Sequence, residues 1–150
     1  MNRLALAPVL GLALVGCAHS QAPSRPLQTA EARCQLVQTL AREPVVDQRL
    51  SEMVNEGQEL PVPLTVFVRN PEEGQLERLF EDDVPQCGGE QFRVVRQLAR
   101  EGLVIYLHES PDGFAFDARR AGPDDLTMAG SPQGFVRRST EGGWVASSSD

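Results

Sequence analysis

The chain has 150 residues, 41% of them hydrophobic, 23% charged and 5% aromatic, which is enough for one small domain and too little for two. Fourteen basic residues against 21 acidic ones leave a formal charge of −7, which disfavours non-specific binding to nucleic acid or other polyanions. Every basic residue is arginine and none is lysine, so Schiff-base lysine chemistry and a Walker-type phosphate loop are excluded. The bias accompanies plentiful Ala, Gly and Pro and reads as GC-rich codon usage.

Met1 to Arg3 form a short basic start, and Leu4 to Val15 form an apolar run of about twelve residues, long enough for a signal peptide and too short for a membrane span. The run ends in Leu14-Val15-Gly16-Cys17. This stretch resembles the lipobox of bacterial lipoproteins, in which small residues precede a cysteine that becomes lipidated. The resemblance implies cleavage before Cys17 and acylation of that residue, and two or three acyl chains anchor a domain stably where one does not. Cleavage removes Arg3, so thirteen arginines face 21 acids and the formal charge becomes −8. By the sorting rule of enterobacterial lipoproteins, Ala18 rather than Asp after the cysteine implies delivery to the bacterial outer membrane, on its periplasmic side or at the cell surface.

Ala18 to Gln28 are rich in Pro, Ser and Ala and lack apolar periodicity, the composition of a flexible tether with a reach of roughly 20 Å. His19 is read as a solvated part of it. The expected organisation is a signal peptide over 1–16, the lipidated Cys17 and tether over 17–28, one globular domain over 29–146 and a disordered tail over 147–150.

Thr29 is a candidate N-cap for a helix over Ala30 to Arg42, ended by Pro44, with Ala30, Cys34, Val37 and Ala41 on one stripe widened by Leu36 and Leu40. A shorter helix is predicted from Asp47 to Glu56, carrying Val46, Leu50, Met53 and Val54 on one side and stopped by Gly57. Leu64 to Val68 reads as a strand. Asn70-Pro71-Glu72-Glu73 has the cap, Pro and acid pattern of a helix start, and the spacing of Leu76, Leu79 and Phe80 predicts a helix through Glu81. Phe92 to Arg100 fits either element, and its good helix formers favour a helix closed by Gly102. Leu103 to His108 and Phe114 to Ala118 read as strands joined by the turn Ser110-Pro111-Asp112-Gly113. The turn pattern recurs 21 residues on, at Ser131-Pro132-Gln133-Gly134, with Leu126 and Met128 in the places of Ile105 and Leu107. A last turn at Gly142-Gly143 leads to Trp144-Val145. The expected fold class is therefore α+β, with N-terminal helices packed on a C-terminal antiparallel β-meander.

With Cys17 assigned to lipid, Cys34 and Cys87 remain. An even pair in an exported protein implies a disulfide. The competing role, a catalytic thiol at Cys87 beside Gly88-Gly89 with His108 as base, lacks the surroundings that papain-like enzymes, peptidoglycan hydrolases or L,D-transpeptidases place around theirs.

No other motif carries chemistry. His108, the one histidine of the folded part, has no ligand spacing with Glu109, so no metal or cofactor is expected. Asp117, Asp124, Asp125 and Glu109 offer carboxylates whose separations the sequence does not set. Glu81-Asp82-Asp83 lacks the alternating ligands of a calcium loop. The acidic run from Glu72 to Glu90 reads as a solvated face. Leu98 to Val104 faintly resembles the helix-and-wing segment of winged-helix regulators, with Arg119 and Arg120 in the wing; the acidic charge and the export signal argue against nucleic acid as a partner. Arg119-Arg120 and Arg137-Arg138 follow the two turns at similar offsets and form a candidate interaction patch, weighed against ordinary pairing with nearby acids.

Three functions follow from these features. The first is a non-enzymatic, membrane-anchored accessory or scaffold subunit that docks onto a larger envelope protein complex, with an exposed sheet edge as its contact. The second is an envelope enzyme acting on cell wall or polysaccharide through His108. The third is a ligand-binding module whose groove is lined by Tyr106, Phe114, Phe116 and Trp144.

Overall fold

The computed structural model describes residues 27–69, 74–126 and 131–148. Cys17 and the tether as far as residue 26 lie outside the described residues, as do Asn70 to Glu73 and Met128. Among the described residues the architecture is mixed: two helices before residue 56, then seven strands in a single sheet.

Helix α1 spans Ala30–Ala41, and the Thr29 hydroxyl caps it by accepting the Ala32 N–H at 3.1 Å. Helix α2 spans Pro44–Asn55 and starts three residues before the expected Asp47. Pro44 opens α2 instead of merely ending α1, because a first-turn residue has no intrahelical use for the N–H that proline lacks. At the other end Gly57 adopts φ +97°, and the Gln58 N–H reaches back to the Met53 carbonyl at 2.9 Å. That closure needs a left-handed residue, which glycine supplies without a Cβ penalty.

Strand β1 covers Val62–Arg69 and is buried through its first six residues. One edge of it is shared by two short strands, β2 (Leu76–Arg78), antiparallel to Phe67–Arg69, and β3 (Phe92–Val94), parallel to Val62–Leu64. The other edge pairs in parallel with β4 (Gly102–Ser110) over Leu64–Arg69. From β4 onward the chain is an antiparallel meander: β5 (Gly113–Ala121), β6 (Gly134–Arg138) and β7 (Trp144–Ser148). Ser110 pairs with Gly113 across Pro111-Asp112. A Cβ on Gly113 would stand 2.1 Å from the Val136 carbonyl oxygen, so this turn position admits only glycine where β6 passes.

Several segments depart from the sequence-based expectation. The predicted helix through Glu81 is replaced by β2 and a run of bends, with Gly74 at φ +68° inside the segment. Its Leu79 and Phe80 are buried all the same, because pairing with β1 hands them to the core as a helix face would have done. The Phe92–Arg100 segment is likewise strand followed by bends. Phe92 and Val94 enter the main core while Val95 and Leu98 enter a second cluster on the opposite side of the sheet. One short helix turns a single face inward and could not serve both sides; this also removes the helix of the winged-helix resemblance. The second turn pattern does not make a second hairpin: residues 122–126 are turn and coil, and β6 pairs back onto β5. At the ends, Leu27 is buried in the core instead of belonging to the tether, and Ser147 and Ser148 pair in β7 instead of fraying.

The main core joins Leu36, Val37 and Leu40 of α1 and Val46, Leu50 and Met53 of α2 to Leu64, Val66, Ile105, Leu107 and Phe116 of the sheet. Cys34 is bonded to Cys87, which lies in a single 3-10 turn (Pro85–Cys87), with Cα atoms 5.2 Å apart. The Gln38 side-chain amide donates to the Cys87 carbonyl at 2.8 Å, a second tie between the same two elements. The bridge closes a loop of 54 residues, counting both cysteines over a separation of 53, which stabilises by about 4 kcal/mol on the chain-entropy account. Reduction, or the double substitution Cys34→Ser with Cys87→Ser, is expected to lower unfolding free energy by that order, read as a fall in the urea midpoint against the oxidised chain.

Candidate functional site

Strand register sorts the sheet residues into two faces. Val66, Ile105 and Ala118 align, as do Val68, Leu107 and Phe116, and these belong to the core shared with the helices. The opposite face carries the aligned rows Thr65–Val104–Arg119, Phe67–Tyr106–Asp117 and Arg69–His108–Ala115–Phe135–Ser147, followed by Ser110–Gly113–Arg137–Val145. Neighbouring strands put such residues about 5 Å apart on one surface.

The first two rows of this opposite face are covered. Val95 and Leu98 pack over Phe67, Val104, Tyr106 and Ala121, with Leu126 against the same cluster. Phe67 and Tyr106 stack with ring centres 5.9 Å apart, and the Arg78 guanidinium lies 5.9 Å above the Phe67 ring. Beside them Asp117 is buried at 3% exposure. Its Oδ2 accepts both from Arg119 Nε, at 2.6 Å, and from a terminal nitrogen of the same guanidinium. The Asp117 Oδ1, also buried, has no hydrogen-bond partner among the described residues. The pair marks the boundary of the covered part of the face.

The last two rows are open. Phe135 and Val145 are each 49% exposed, sit diagonally across the β6–β7 pair, and with Leu60 are the large exposed apolar side chains among the described residues. Arg69, Arg137 and Ser147 are exposed around them and His108 is half-buried. Arg69, His108 and Arg137 make no ion pair or side-chain hydrogen bond among the described residues. A cleft of about 440 Å³ opens at the end of this surface, lined by Asp112, Arg137, Arg138, Ser139, Thr140 and Val145.

The sequence-derived candidates fall as follows. Arg119 and Arg120 are both engaged by acids, Arg119 by Asp117, and Arg120 by Glu56 and Glu101 on the other side of the sheet. Hydrogen bonds to Glu101 and then Glu56 hold the Arg120 guanidinium above its ordinary pKa. Arg137 is free on the open face, while Arg138 lies 5.6 Å from the Trp144 ring centre on the opposite face. Arg119 and Gly113, the register partner of Arg137, are six residues apart along β5, a separation of roughly 20 Å. The four arginines are therefore not one patch.

His108 shares its face with Asp117, which is occupied by Arg119, whereas Glu109 points to the other face. Asp124 and Asp125 are exposed in the turn after β5. No group of three or more His, Cys, Asp or Glu side chains among the described residues is placed to hold a metal ion. The aromatic groove is not formed, because Tyr106 lies on one face of the sheet and Phe114, Phe116 and Trp144 on the other. Sequence reasoning passed over Phe135, Val145 and Arg69 as a site; each is an ordinary strand residue until the register aligns them.

No protein-family model matches the chain, and neither curated proteins nor solved structures give a significant match.

Burial raises the Tyr106 pKa above its ordinary value of 10.0; the nearby Arg119 opposes the shift and Asp117 and Asp125 reinforce it. The folded state thus holds the phenolic proton where the unfolded chain releases it, so stability is intact below pH 10 and falls as pH rises beyond it. Tyr106→Phe is expected to flatten that alkaline decline between pH 9.5 and about 11, checked by urea midpoints across the range.

Proposed function

We propose that the chain is a non-enzymatic, lipid-anchored accessory protein of the bacterial envelope, docking a larger envelope protein complex through the open rows of its sheet. The single observation that carries the reading is the pair of half-exposed side chains Phe135 and Val145 standing together on that surface. Exposed apolar groups set side by side among polar ones suit a protein contact better than a solvated surface.

In this reading the helices are the cover of one face of the meander, which leaves the other for the partner. Lipidation of Cys17 supplies the anchor, and the residues between it and Leu27 keep the domain beside the membrane, which on the sorting rule is the outer one. Docking from a tethered position needs little intrinsic affinity, because the tether raises the effective concentration of the partner surface.

The enzymatic alternative needs a general base with an orienting group. His108 makes no side-chain hydrogen bond or ion pair among the described residues, and the acid on its own face is committed to Arg119.

Two experiments test the proposal. Radiolabelled palmitate is expected to enter the wild-type chain and not Cys17→Ala. Co-purification of the envelope partner after in-cell crosslinking is expected to fall at least about tenfold in Phe135→Asp with Val145→Asp, the loss typical of removing apolar contact residues. It is expected to be unchanged in His108→Ala. A loss of function in His108→Ala at normal protein level, with the partner still bound, would favour the enzyme instead.

A further inference from the structure

The open face has a charge bias that the chain as a whole lacks. Its two open rows contain Arg69, His108 and Arg137 around the apolar Phe135 and Val145, and no carboxylate. This occurs in a chain with 21 acidic residues against 14 basic ones. Elsewhere on the face Arg119 is held by Asp117 and Arg78 lies over the Phe67 ring, while Arg93, aligned with Pro63 at the far end, is exposed. Arg69 and Arg137 are exposed and form no ion pair among the described residues, although the acid Asp112 borders Arg137 in the cleft at the end of the surface.

We propose that the occupant of this face is an acidic surface of the partner protein with an apolar centre. The inference rests on the docking function proposed above and adds the chemistry of the partner. The partner's apolar side chains cover Phe135 and Val145, while its carboxylates meet the Arg137 and Arg69 guanidiniums in paired hydrogen bonds. Arg69 and Arg137 are separated by three strand spacings and one two-residue step, so the matching carboxylates stand roughly 15 Å apart. An apolar centre with arginines at its margin is the usual anatomy of a specific protein contact.

Two other occupants fit less well. An anionic lipid surface rewards dense clusters of four to eight basic residues, whereas the open rows offer two free arginines on a strongly acidic chain. A second copy would have to offer its acidic rim, Glu77 to Glu90. The large exposed apolar residues among the described residues are Leu60, Phe135 and Val145, so that rim has nothing comparable to set against Phe135.

The test places a photo-crosslinking amino acid at Ser147, opposite Phe135 on the same face, in the full lipidated chain in cells. The adduct is mapped by mass spectrometry in the otherwise native chain and in Arg137→Glu, Arg69→Glu and their combination. Arg42→Glu, an exposed residue at the end of α1, serves as the control, and circular dichroism confirms folding of each variant. The expected adduct is a protein segment bearing Asp or Glu. Its yield is expected to fall about tenfold or more in the combined variant, to hold in Arg42→Glu, and to return when an acid of the mapped segment is changed to Arg. Equal yields in the charge-reversed variants, or a segment without acids, overturn the acidic-partner inference and leave the docking function standing. An adduct to lipid or to a second copy also overturns it. Absence of any adduct in the folded chain overturns the docking function as well.

Discussion

The structure hangs on the parallel pairing of β1 with β4. Leu64–Arg69 and Leu103–His108 align residue for residue across six positions, and this makes β1 an interior strand flanked on both sides. A strand in that position is buried on both faces, which accounts for the six consecutive buried residues at its start, apolar except for Thr65. Parallel neighbours cannot be joined by a tight turn, so the chain must cross over between them. Here the crossover holds β2, the 3-10 turn and β3, two short strands that share the free edge of β1 in place of a long crossover helix. A connection so poor in regular structure gains from a covalent tie, and Cys87 within it is bonded to Cys34 of α1. The α1 helix also touches β7 at one end of the strand order, so one short helix is in contact with both the crossover turn and the last strand of the meander.

The same pairing decides which residues can act together. Once β1 and β4 are in register, β5 and β6 follow by antiparallel pairing, and Arg69, His108, Ala115 and Phe135 form one row. A slip of one residue at β6 would exchange Phe135 and Arg137 for Val136 and Arg138 on the open face, because side chains alternate along a strand. Gly113 and Gly134 guard that register: a Cβ on Gly113 would meet the Val136 carbonyl, and one on Gly134 would stand 2.7 Å from the Phe116 ring. The buried Asp117–Arg119 pair then divides the face. Its apolar end is sealed by Val95, Leu98 and Leu126, and the part beyond it is open.

Local chemistry was legible where the deciding contacts are near in sequence. The Thr29 cap, the Gly57 stop and the Pro111-Asp112 turn each depend on residues within one turn of the backbone, and each stands where the sequence places it. The pairing of Cys34 with Cys87 followed from parity and the expectation of export, without any knowledge of the fold. Pro44 was misplaced by one element because proline both ends a helix and begins one.

The sequence by itself determined the acidic, lysine-free character of the chain, the division into an early helical part and a late β part, and the two helix boundaries marked by Thr29 and Gly57. Tertiary structure alone decided that Leu76–Arg78 and Phe92–Val94 are strands, because the partner that satisfies their backbone is β1, and a long-range hydrogen-bonded edge outweighs weak helical spacing. It alone decided that Arg119 and Arg120 are spent on acids 2 to 64 residues away while Arg137 is free. The open face is likewise a product of register. Arg69, His108, Phe135 and Val145 are scattered over more than half of the chain, and only strand pairing, which acts across any sequence distance, sets them on one surface.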